Sequence, residues 1–169
     1  LWNKRSTMSS SKKSSLVTID SLTDEPSTWH GSSLLSVTQI TPEGLSLLMK
    51  TSQEMRKLVQ SKGGDSRLQH RLLATIFYEA STRTSCSFQA AFKRLGGDVI
   101  HVDAGGSTSS TKKGESLSDT IRCLECYVDL SVLRHPVNGS VGEVIQKCCK
   151  PVLNAGDGTG EHPTQALLG

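Results

Sequence analysis

Apolar residues in this chain form short continuous runs that alternate with runs of helical spacing. Leu72 to Phe77 form a continuous run that contains β-branched side chains, which is typical of a buried strand. Over residues 83–95 the apolar positions recur at the spacing of one helix face, and two glycines then end the pattern. The pattern therefore predicts a strand that passes almost directly into a helix.

The rest of the chain repeats this alternation. The predicted strands are 71–77, 98–102, 130–134 and 151–154, and the predicted helices are 42–62, 83–95, 115–127 and 140–149, with a last helix after Pro163. Strands that contain few polar residues and alternate with helices are typical of an α/β fold with a mainly parallel sheet. Ligands of such sheets bind beyond the carboxyl ends of the strands.

The turn between the first predicted strand and its helix has the sequence Ser-Thr-Arg-Thr, residues 81–84. Unpaired backbone N–H groups and the positive end of the helix dipole meet at such a turn. Three hydroxyls and a guanidinium add further donors, which favours binding of a small phosphate or carboxylate dianion. An ordinary N-cap is the alternative, although an arginine at a helix start opposes the dipole unless an anion is bound.

Polar residues also follow the other predicted strands, so they should converge at the same edge of the sheet. These groups are His101 with the loop 105–111 and Lys-Lys-Gly-Glu at 112–115, Arg-His-Pro at 134–136, Asn-Ala-Gly-Asp-Gly at 154–158, and His-Pro-Thr-Gln at 162–165.

Composition limits the class of protein. Residues 1–19 carry four basic residues and no acid, so a net charge of +3 leaves 3 − 4 = −1 on the remainder. A near-neutral body argues against a nucleic-acid-binding protein, and no apolar run approaches the length of a membrane helix. Residues 1–30 are rich in Ser, Thr and Lys and are expected to be a disordered leader, linker or tag; a transit peptide has a similar composition. Residues 31–169 form the predicted domain.

The five cysteines do not form the framework of a secreted protein, and a reducing compartment is expected. Cys123 and Cys126, with the Cys148-Cys149 pair, could be drawn as a zinc site. We favour a core role for Cys123 and Cys126, because both fall within an apolar helical pattern. Adjacent cysteines are also awkward as paired ligands.

Four segments resemble the signatures of the aspartate carbamoyltransferase family. They are Phe-Tyr-Glu-Ala-Ser-Thr-Arg-Thr at 77–84, Lys-Lys-Gly-Glu at 112–115, Leu-Arg-His-Pro at 133–136, and Asn-Ala-Gly-Asp-Gly…His-Pro-Thr-Gln at 154–165. Their order and spacing match from about residue 34 to residue 168. The resemblance implies a three-layer α/β sandwich with a mainly parallel four-stranded sheet. It further implies transfer of a carbamoyl group from carbamoyl phosphate to the amino group of L-aspartate in de novo pyrimidine biosynthesis.

The same resemblance assigns roles to individual residues. Carbamoyl phosphate would be bound by Ser81, Thr82, Arg83, Thr84, Arg134, His162 and Gln165. Of these, Arg83, Thr84, Arg134 and His162 would be catalytic. Ser109 and Lys113 would reach the site of a neighbouring subunit in a homotrimer, and Glu79 would pair between domains or, without the second domain, remain solvated or locally paired. His135 and Asp157 are interpreted as structural, and no metal or cofactor is implied.

The second, aspartate-binding domain of the family is expected to be absent from these 169 residues, which alone should be inactive. The sequence Gly-Glu-His-Pro-Thr-Gln-Ala-Leu-Leu at 160–168 resembles the transcarbamoylase part of the multifunctional animal pyrimidine enzyme. This resemblance implies a cytoplasmic protein with other domains as partners. Two alternatives stay open: the corresponding half of an ornithine carbamoyltransferase, and a phosphate-binding module without catalysis.

Overall fold

The computed structural model describes residues 20–105 and 114–168. Its helices are α1 (Pro42–Lys62), α2 (Thr82–Arg94), α3 (Leu117–Leu124), α4 (Ser140–Ile145) and α5 (Pro163–Ala166), and its strands are β1 (Leu72–Phe77), β2 (Asp98–Asp103), β3 (Leu130–His135) and β4 (Val152–Asp157). Two short 3-10 turns, Pro26–Thr28 and Val37–Gln39, precede α1. Among these residues no helix has the length and apolar character needed to cross a membrane.

The strands form one four-stranded sheet in the order β2-β1-β3-β4, and every neighbouring pair is parallel. The predicted α/β class and parallel sheet are therefore confirmed. Because parallel strands all end at the same edge, the segments that follow β1, β3 and β4 meet there.

The two faces of the sheet are covered by different helices, which gives the three layers. Ala74 and Ile76 of β1 pack with Ile121 of α3 and with valines of α4 in one buried cluster. On the opposite face, Leu73 and Phe77 pack with Phe92 of α2 in a second cluster. The alternation of side chains along β1 thus divides its apolar run between two cores.

The first helix has its predicted bounds, and two later helices are shorter than predicted. α1 begins and ends as predicted, since the Thr41 hydroxyl accepts the Gly44 N–H at 3.1 Å and Gly63 adopts φ +78°. α3 begins only at Leu117, because the Ser116 hydroxyl accepts the Asp119 N–H at 3.1 Å. α4 ends at Ile145, four residues before the predicted end.

The core assignment of two cysteines is wrong. Cys123 and Cys126 are both exposed. α3 turns Ile121 and Leu124 towards the core and places Cys123 on its outer side, while Cys126 lies beyond the end of the helix. Among the described residues no group of three or more His, Cys, Asp or Glu side chains is arranged to hold a metal ion.

The expected disordered leader is wrong for residues 20–30. Leu22 is buried and pairs with Ile40 as an isolated bridge, and the Trp29 indole N–H donates to the Thr23 carbonyl at 2.7 Å. Residues 1–19 lie outside the described part of the chain. A periodicity argument missed this segment because one buried leucine and one indole hydrogen bond hold it.

Candidate functional site

One open pocket of about 1100 Å³ lies at the carboxyl edge of the sheet. Its lining comprises Ser52, Ser81, Arg83, Thr84, Ser87, Phe88, Ala91, Arg134, His162, Thr164, Gln165 and Leu168. Six of the seven predicted ligand-binding residues therefore line one pocket, and Thr82, the seventh, is next to two of them in sequence. The segments that follow β1, β3 and β4 therefore contribute to one pocket, whereas no residue after β2 is among the lining residues of the described chain.

The 81–84 turn presents donors that its own helix does not use. Ser81 is the N-cap of α2, yet its hydroxyl makes no capping bond. The first helical bond joins the Ser85 N–H to the Ser81 carbonyl at 3.0 Å, so the amides of residues 82–84 have no partner within the helix. Within the described residues the hydroxyls of the turn and the Arg83 guanidinium likewise make no hydrogen bond. The ordinary N-cap alternative does not account for this geometry, whereas an anion would satisfy all of these donors.

Arg134 reaches the pocket from the end of β3 and is held by two contacts. Its Nε donates to Glu79 Oε2 at 3.3 Å, and its Nη1 donates to the Ala155 carbonyl at 3.3 Å. Side-chain exposure is 24% for Arg134 and 41% for Glu79, so the pair is only partly desolvated. Glu79 is thus locally paired, one of the two states expected for it.

Gly156 forms the seat of the Arg134 guanidinium. The register from Leu133–Asn154 to His135–Asp157 sets Arg134 of β3 opposite two residues of β4, Ala155 and Gly156, which is a β-bulge. Gly156 has φ +126°, and a Cβ there would lie 2.9 Å from Arg134 Nη1. Only glycine fits both the backbone angle and the close approach of the guanidinium.

His162 is the N-cap residue of α5. Its side chain makes no capping bond, and its Nδ1 lies 3.4 Å from Thr164 Oγ1. Burial, and then the positive charge of Arg134, lower the pKa of His162 below its usual 6.5. The ring is therefore neutral at pH 7 and offers one donor and one acceptor. Gln165, one turn along α5, adds an exposed amide to the same wall.

His135 and Asp157 make the contacts of structural residues. The His135 ring packs edge-on against Tyr78 with centroids 4.9 Å apart, and its Nδ1 accepts the Val137 N–H at 3.2 Å. Burial lowers the pKa of His135. Asp157 Oδ2 accepts the Gly139 N–H at 2.9 Å and so holds the start of α4 against β4.

Two predicted site residues lie outside the described part of the chain, and two other predictions differ from the structure. Ser109 and Lys113 lie outside the described residues, so their roles stay predictions. His101 lies inside β2 rather than after it, and its Nδ1 meets the Thr75 hydroxyl at 2.9 Å away from the pocket lining. β4 extends three residues past its predicted end, because Ala155 and Gly156 continue the strand through the bulge to Asp157.

The sequence analysis missed Asn154 as a residue that shapes the site. It is 1% exposed, and its Oδ1 accepts the Gly156 N–H at 2.9 Å, which fixes the seat of Arg134. The available signal was an asparagine inside an otherwise apolar run, since a buried amide must find partners.

Substitution Gly156→Ala should test the role of the bulge. We expect a loss of about 2 kcal/mol in unfolding free energy from the positive φ, and about tenfold weaker phosphate binding because Arg134 is displaced. Gly63→Ala is the matched control, since Gly63 has φ +78° with no atom near an added Cβ. It should lose stability in thermal melts but keep its affinity in calorimetric titrations. Equal phosphate binding by Gly156→Ala and the original chain would show that Gly156 does not position Arg134.

Comparison with known proteins adds a family to this geometry. Residues 32–169 match the family described as aspartate/ornithine carbamoyltransferase, carbamoyl-P binding domain. The chain is 48% identical over 166 residues to the multifunctional protein pyr1-3 of Dictyostelium discoideum, covering 98% of this chain and 7% of that protein. It is 43% identical over 136 residues to the aspartate carbamoyltransferase catalytic subunit of Thermoplasma volcanium, covering 80% of this chain and 44% of that one.

Solved structures show the same likeness. The crystal structure of aspartate transcarbamoylase from Trypanosoma cruzi in complex with carbamoyl phosphate and aspartate superposes with a TM-score of 0.78 at 38% identity. The superposition covers 91% of this chain and 45% of the Trypanosoma cruzi chain. A complex of the same enzyme with carbamoyl phosphate gives a TM-score of 0.77 at 40% identity, covering 82% of this chain and 42% of that chain. The chain therefore spans less than half the length of each of these relatives.

Proposed function

The chain belongs to the aspartate/ornithine carbamoyltransferase family through its carbamoyl-phosphate-binding domain, and we propose that it forms the carbamoyl-phosphate half of an aspartate carbamoyltransferase. The reaction is transfer of the carbamoyl group of carbamoyl phosphate to the amino group of L-aspartate. Its products are N-carbamoyl-L-aspartate and phosphate, and its setting is de novo pyrimidine biosynthesis.

One observation carries the proposal: a single pocket combines free anion donors at the 81–84 turn with Arg134, His162 and Gln165 on the facing wall. A dianion alone would need only the turn. The additional groups suit a ligand with a phosphate at one end and a polar planar group at the other, which describes carbamoyl phosphate.

The phosphate end of the ligand would lie on the 81–84 turn. Ser81, Thr82 and Thr84 offer hydroxyls as well as the free amides, and Arg83 offers a cation in the first turn of α2. These donors neutralise the charge that grows on the phosphate as it leaves.

The carbamoyl end would lie against Thr84, Arg134 and His162. Attack by the aspartate amine forms a C–N bond and places negative charge on the carbonyl oxygen. The C–O bond to phosphate then breaks with its electrons, and the departing phosphate takes the proton that the amine gives up. A guanidinium, a neutral imidazole and a hydroxyl can donate to that oxygen. Gln165 supplies the acceptor that the carbamoyl NH₂ requires.

Aspartate rather than ornithine is the proposed acceptor. Arg-His-Pro at 134–136 and Gly-Asp-Gly at 156–158 are the aspartate variants of the motifs, and the relatives named above are aspartate enzymes or multifunctional proteins. We infer that the groups which bind aspartate lie outside these 169 residues. By itself, this polypeptide would then behave as a binding module.

The test uses two probes of equal charge. Phosphonoacetamide replaces the bridging oxygen of carbamoyl phosphate by a methylene, and methylphosphonate lacks the carbamoyl group. We expect the 169-residue polypeptide to bind phosphonoacetamide more tightly than methylphosphonate in calorimetric titrations. We also expect no carbamoyl aspartate to form from carbamoyl phosphate and aspartate, since catalysis needs both substrates held in reacting geometry. Equal affinity for the two probes would contradict a carbamoyl site, and product formation would contradict the inferred division of the enzyme.

Assembly and location form the finer part of the proposal. We propose a cytoplasmic homotrimer in which Ser109 and Lys113 enter the neighbouring site, with other domains of a multifunctional pyrimidine enzyme as further partners. The support is the resemblance of these residues to those donated across subunits in the family. A cyclic trimer repeats one head-to-tail contact three times, so each subunit gives one loop and receives another.

Mixing two variants should test the shared site. Lys113→Ala and Arg83→Ala chains should each bind phosphonoacetamide weakly, but mixed trimers should regain some intact sites and part of the lost binding. Sedimentation at several concentrations measures the assembly that this requires. If the chain sediments as a trimer while the mixture binds no better than its components, Lys113 acts within its own subunit.

A further inference from the structure

Residues 33–36 form an extended segment beside β4, which we call the edge strap, and the 3-10 turn Val37–Gln39 follows it directly. The Leu34 N–H donates to the Val152 carbonyl at 3.1 Å, and the Asn154 N–H donates to the Leu34 carbonyl at 2.9 Å. These bonds give Leu34 a parallel pairing with Leu153. The edge strap therefore continues the sheet beyond β4 and covers its open edge.

The edge strap is braced by Gln39, which is only 7% exposed. Gln39 Oε1 accepts the N–H groups of Leu35 at 2.6 Å and Ser36 at 3.0 Å. Its Nε2 donates to the Ser33 carbonyl at 3.0 Å. Through these three hydrogen bonds Gln39 fixes the curve by which the strap leaves β4.

Glu161 joins the edge strap to the wall of the pocket. Its Oε1 accepts the Ser36 hydroxyl at 2.8 Å, and its Oε2 accepts the Val37 N–H at 3.1 Å. On the opposite side, its backbone carbonyl accepts Asn154 Nδ2 at 3.2 Å. Residue 161 is thus held through both its side chain and its backbone, although it is exposed to solvent.

His162 follows directly and has few restraints of its own. Its ring has one side-chain hydrogen bond among the described residues, between Nδ1 and Thr164 Oγ1 at 3.4 Å. Pro163, which is buried, comes next and opens α5. The ring direction is therefore set by the backbone between an anchored Glu161 and a buried proline rather than by bonds to the imidazole.

We propose that Glu161 is a positioning residue for His162, and that its carboxylate clamps the His162 segment to the edge strap. The inference rests on the proposed function in so far as His162 contacts the carbamoyl group. Hydrogen bonds to a carboxylate are stronger than neutral ones, and a catalytic group is useful only when its support holds it within a fraction of an ångström. Glu161 supports the His162 segment, which would lie at the carbamoyl end of the site. Loss of the clamp should therefore affect that end and not the 81–84 turn.

Substitution Glu161→Ala tests the clamp in the full chain with the two probes. We expect about tenfold weaker binding of phosphonoacetamide, because His162 is no longer held in place, and a change within about twofold for methylphosphonate. Glu161→Gln should restore most of the binding, since its amide can accept from Val37 and donate to the Ser36 oxygen. Glu143→Ala, an exposed glutamate in the first turn of α4, is the matched control and should change neither affinity.

A second readout needs no ligand and so separates this inference from the proposed function. In an NMR titration the His162 pKa should lie below its usual value in the original chain, and it should rise in Glu161→Ala as the ring moves away from Arg134 and into solvent. An unchanged pKa would overturn the clamp even if both probes bind as expected. Equal weakening of both probes, or unaltered binding of both, would also overturn it, since the first indicates general loss of structure. If the original chain fails to distinguish the probes, the proposed function fails and the titration alone decides the clamp.

Discussion

Substitution Arg83→Ala should weaken binding of methylphosphonate and phosphonoacetamide alike by about 100-fold. The magnitude follows from the loss of charged hydrogen bonds worth about 3 kcal/mol, with about 1.4 kcal/mol for each factor of ten. Both probes are affected because Arg83 belongs to the 81–84 turn, which would bind the group that they share. In an intact two-domain enzyme the same change should cost a similar factor in kcat/KM, since the charge on the departing phosphate grows during the reaction.

The stability of the Arg83→Ala chain should stay the same or rise slightly. The Arg83 guanidinium makes no hydrogen bond among the described residues and places a positive charge in the first turn of α2, where the helix dipole disfavours it by about 0.3–1 kcal/mol. Arg94→Ala is the matched control at the other end of the helix. Arg94 lies in the last turn and donates to the Gly63 carbonyl at 2.8 Å, so its loss should lower the melting temperature and leave ligand binding unchanged. A large fall in melting temperature for Arg83→Ala with affinity retained would show that Arg83 is structural.

The contrast between these two arginines explains why much of the site could be predicted from the sequence. Arg83 is placed against the dipole and Arg94 with it, and both positions follow from the apolar pattern that defines α2. A positively charged side chain at the positive end of a helix dipole favours the binding of an anion there. This inference needs no knowledge of the tertiary structure. The alternation of strands and helices likewise predicts that the 81–84 turn, Arg134 and His162 lie at one edge of the sheet.

What could not be predicted depends on contacts between distant parts of the chain. Glu161 and Ser36 are 125 residues apart and have no shared pattern, so nothing local indicates that they meet. The buried Leu22 is similar, because its burial arises from pairing with Ile40 rather than from periodicity. Cys123 illustrates the converse error. An apolar helical stripe is broad enough to include it, and only the rotation of α3 about its axis decides that it is exposed.

The bulge at Gly156 was also not predicted from the sequence. The structure shows that β4 continues through an irregularity at Ala155 and Gly156, and that this irregularity seats a guanidinium. Arg134 is thereby fixed by the backbone of β4 and by Glu79, and neither partner is its proposed ligand. One cationic donor of the pocket is therefore engaged within the protein.

Substitution Arg134→Ala should weaken phosphonoacetamide binding by about 100-fold and methylphosphonate binding by about tenfold, since the proposed partner of the guanidinium is the carbamoyl oxygen rather than the phosphate. The change also leaves the Glu79 carboxylate facing an anionic ligand without its partner. Arg134→Lys keeps the charge but loses the planar fork of donors, so it should recover the methylphosphonate affinity more fully than the phosphonoacetamide affinity. Calorimetric titration of the three chains with both probes measures the difference.

Glu79 competes with the ligand for Arg134, and the magnitudes indicate which partner prevails. The ion pair is 3.3 Å long and its carboxylate side chain is 41% exposed, so it contributes at most about 1 kcal/mol. A dianionic ligand that brings its own charge to the guanidinium and to the free donors of the 81–84 turn exceeds that amount. Glu79→Gln should therefore tighten phosphonoacetamide binding by about threefold, whereas Glu143→Ala should have no effect. Weaker phosphonoacetamide binding by Glu79→Gln would contradict this competition. It would mean that the Glu79 carboxylate orients Arg134 for the ligand.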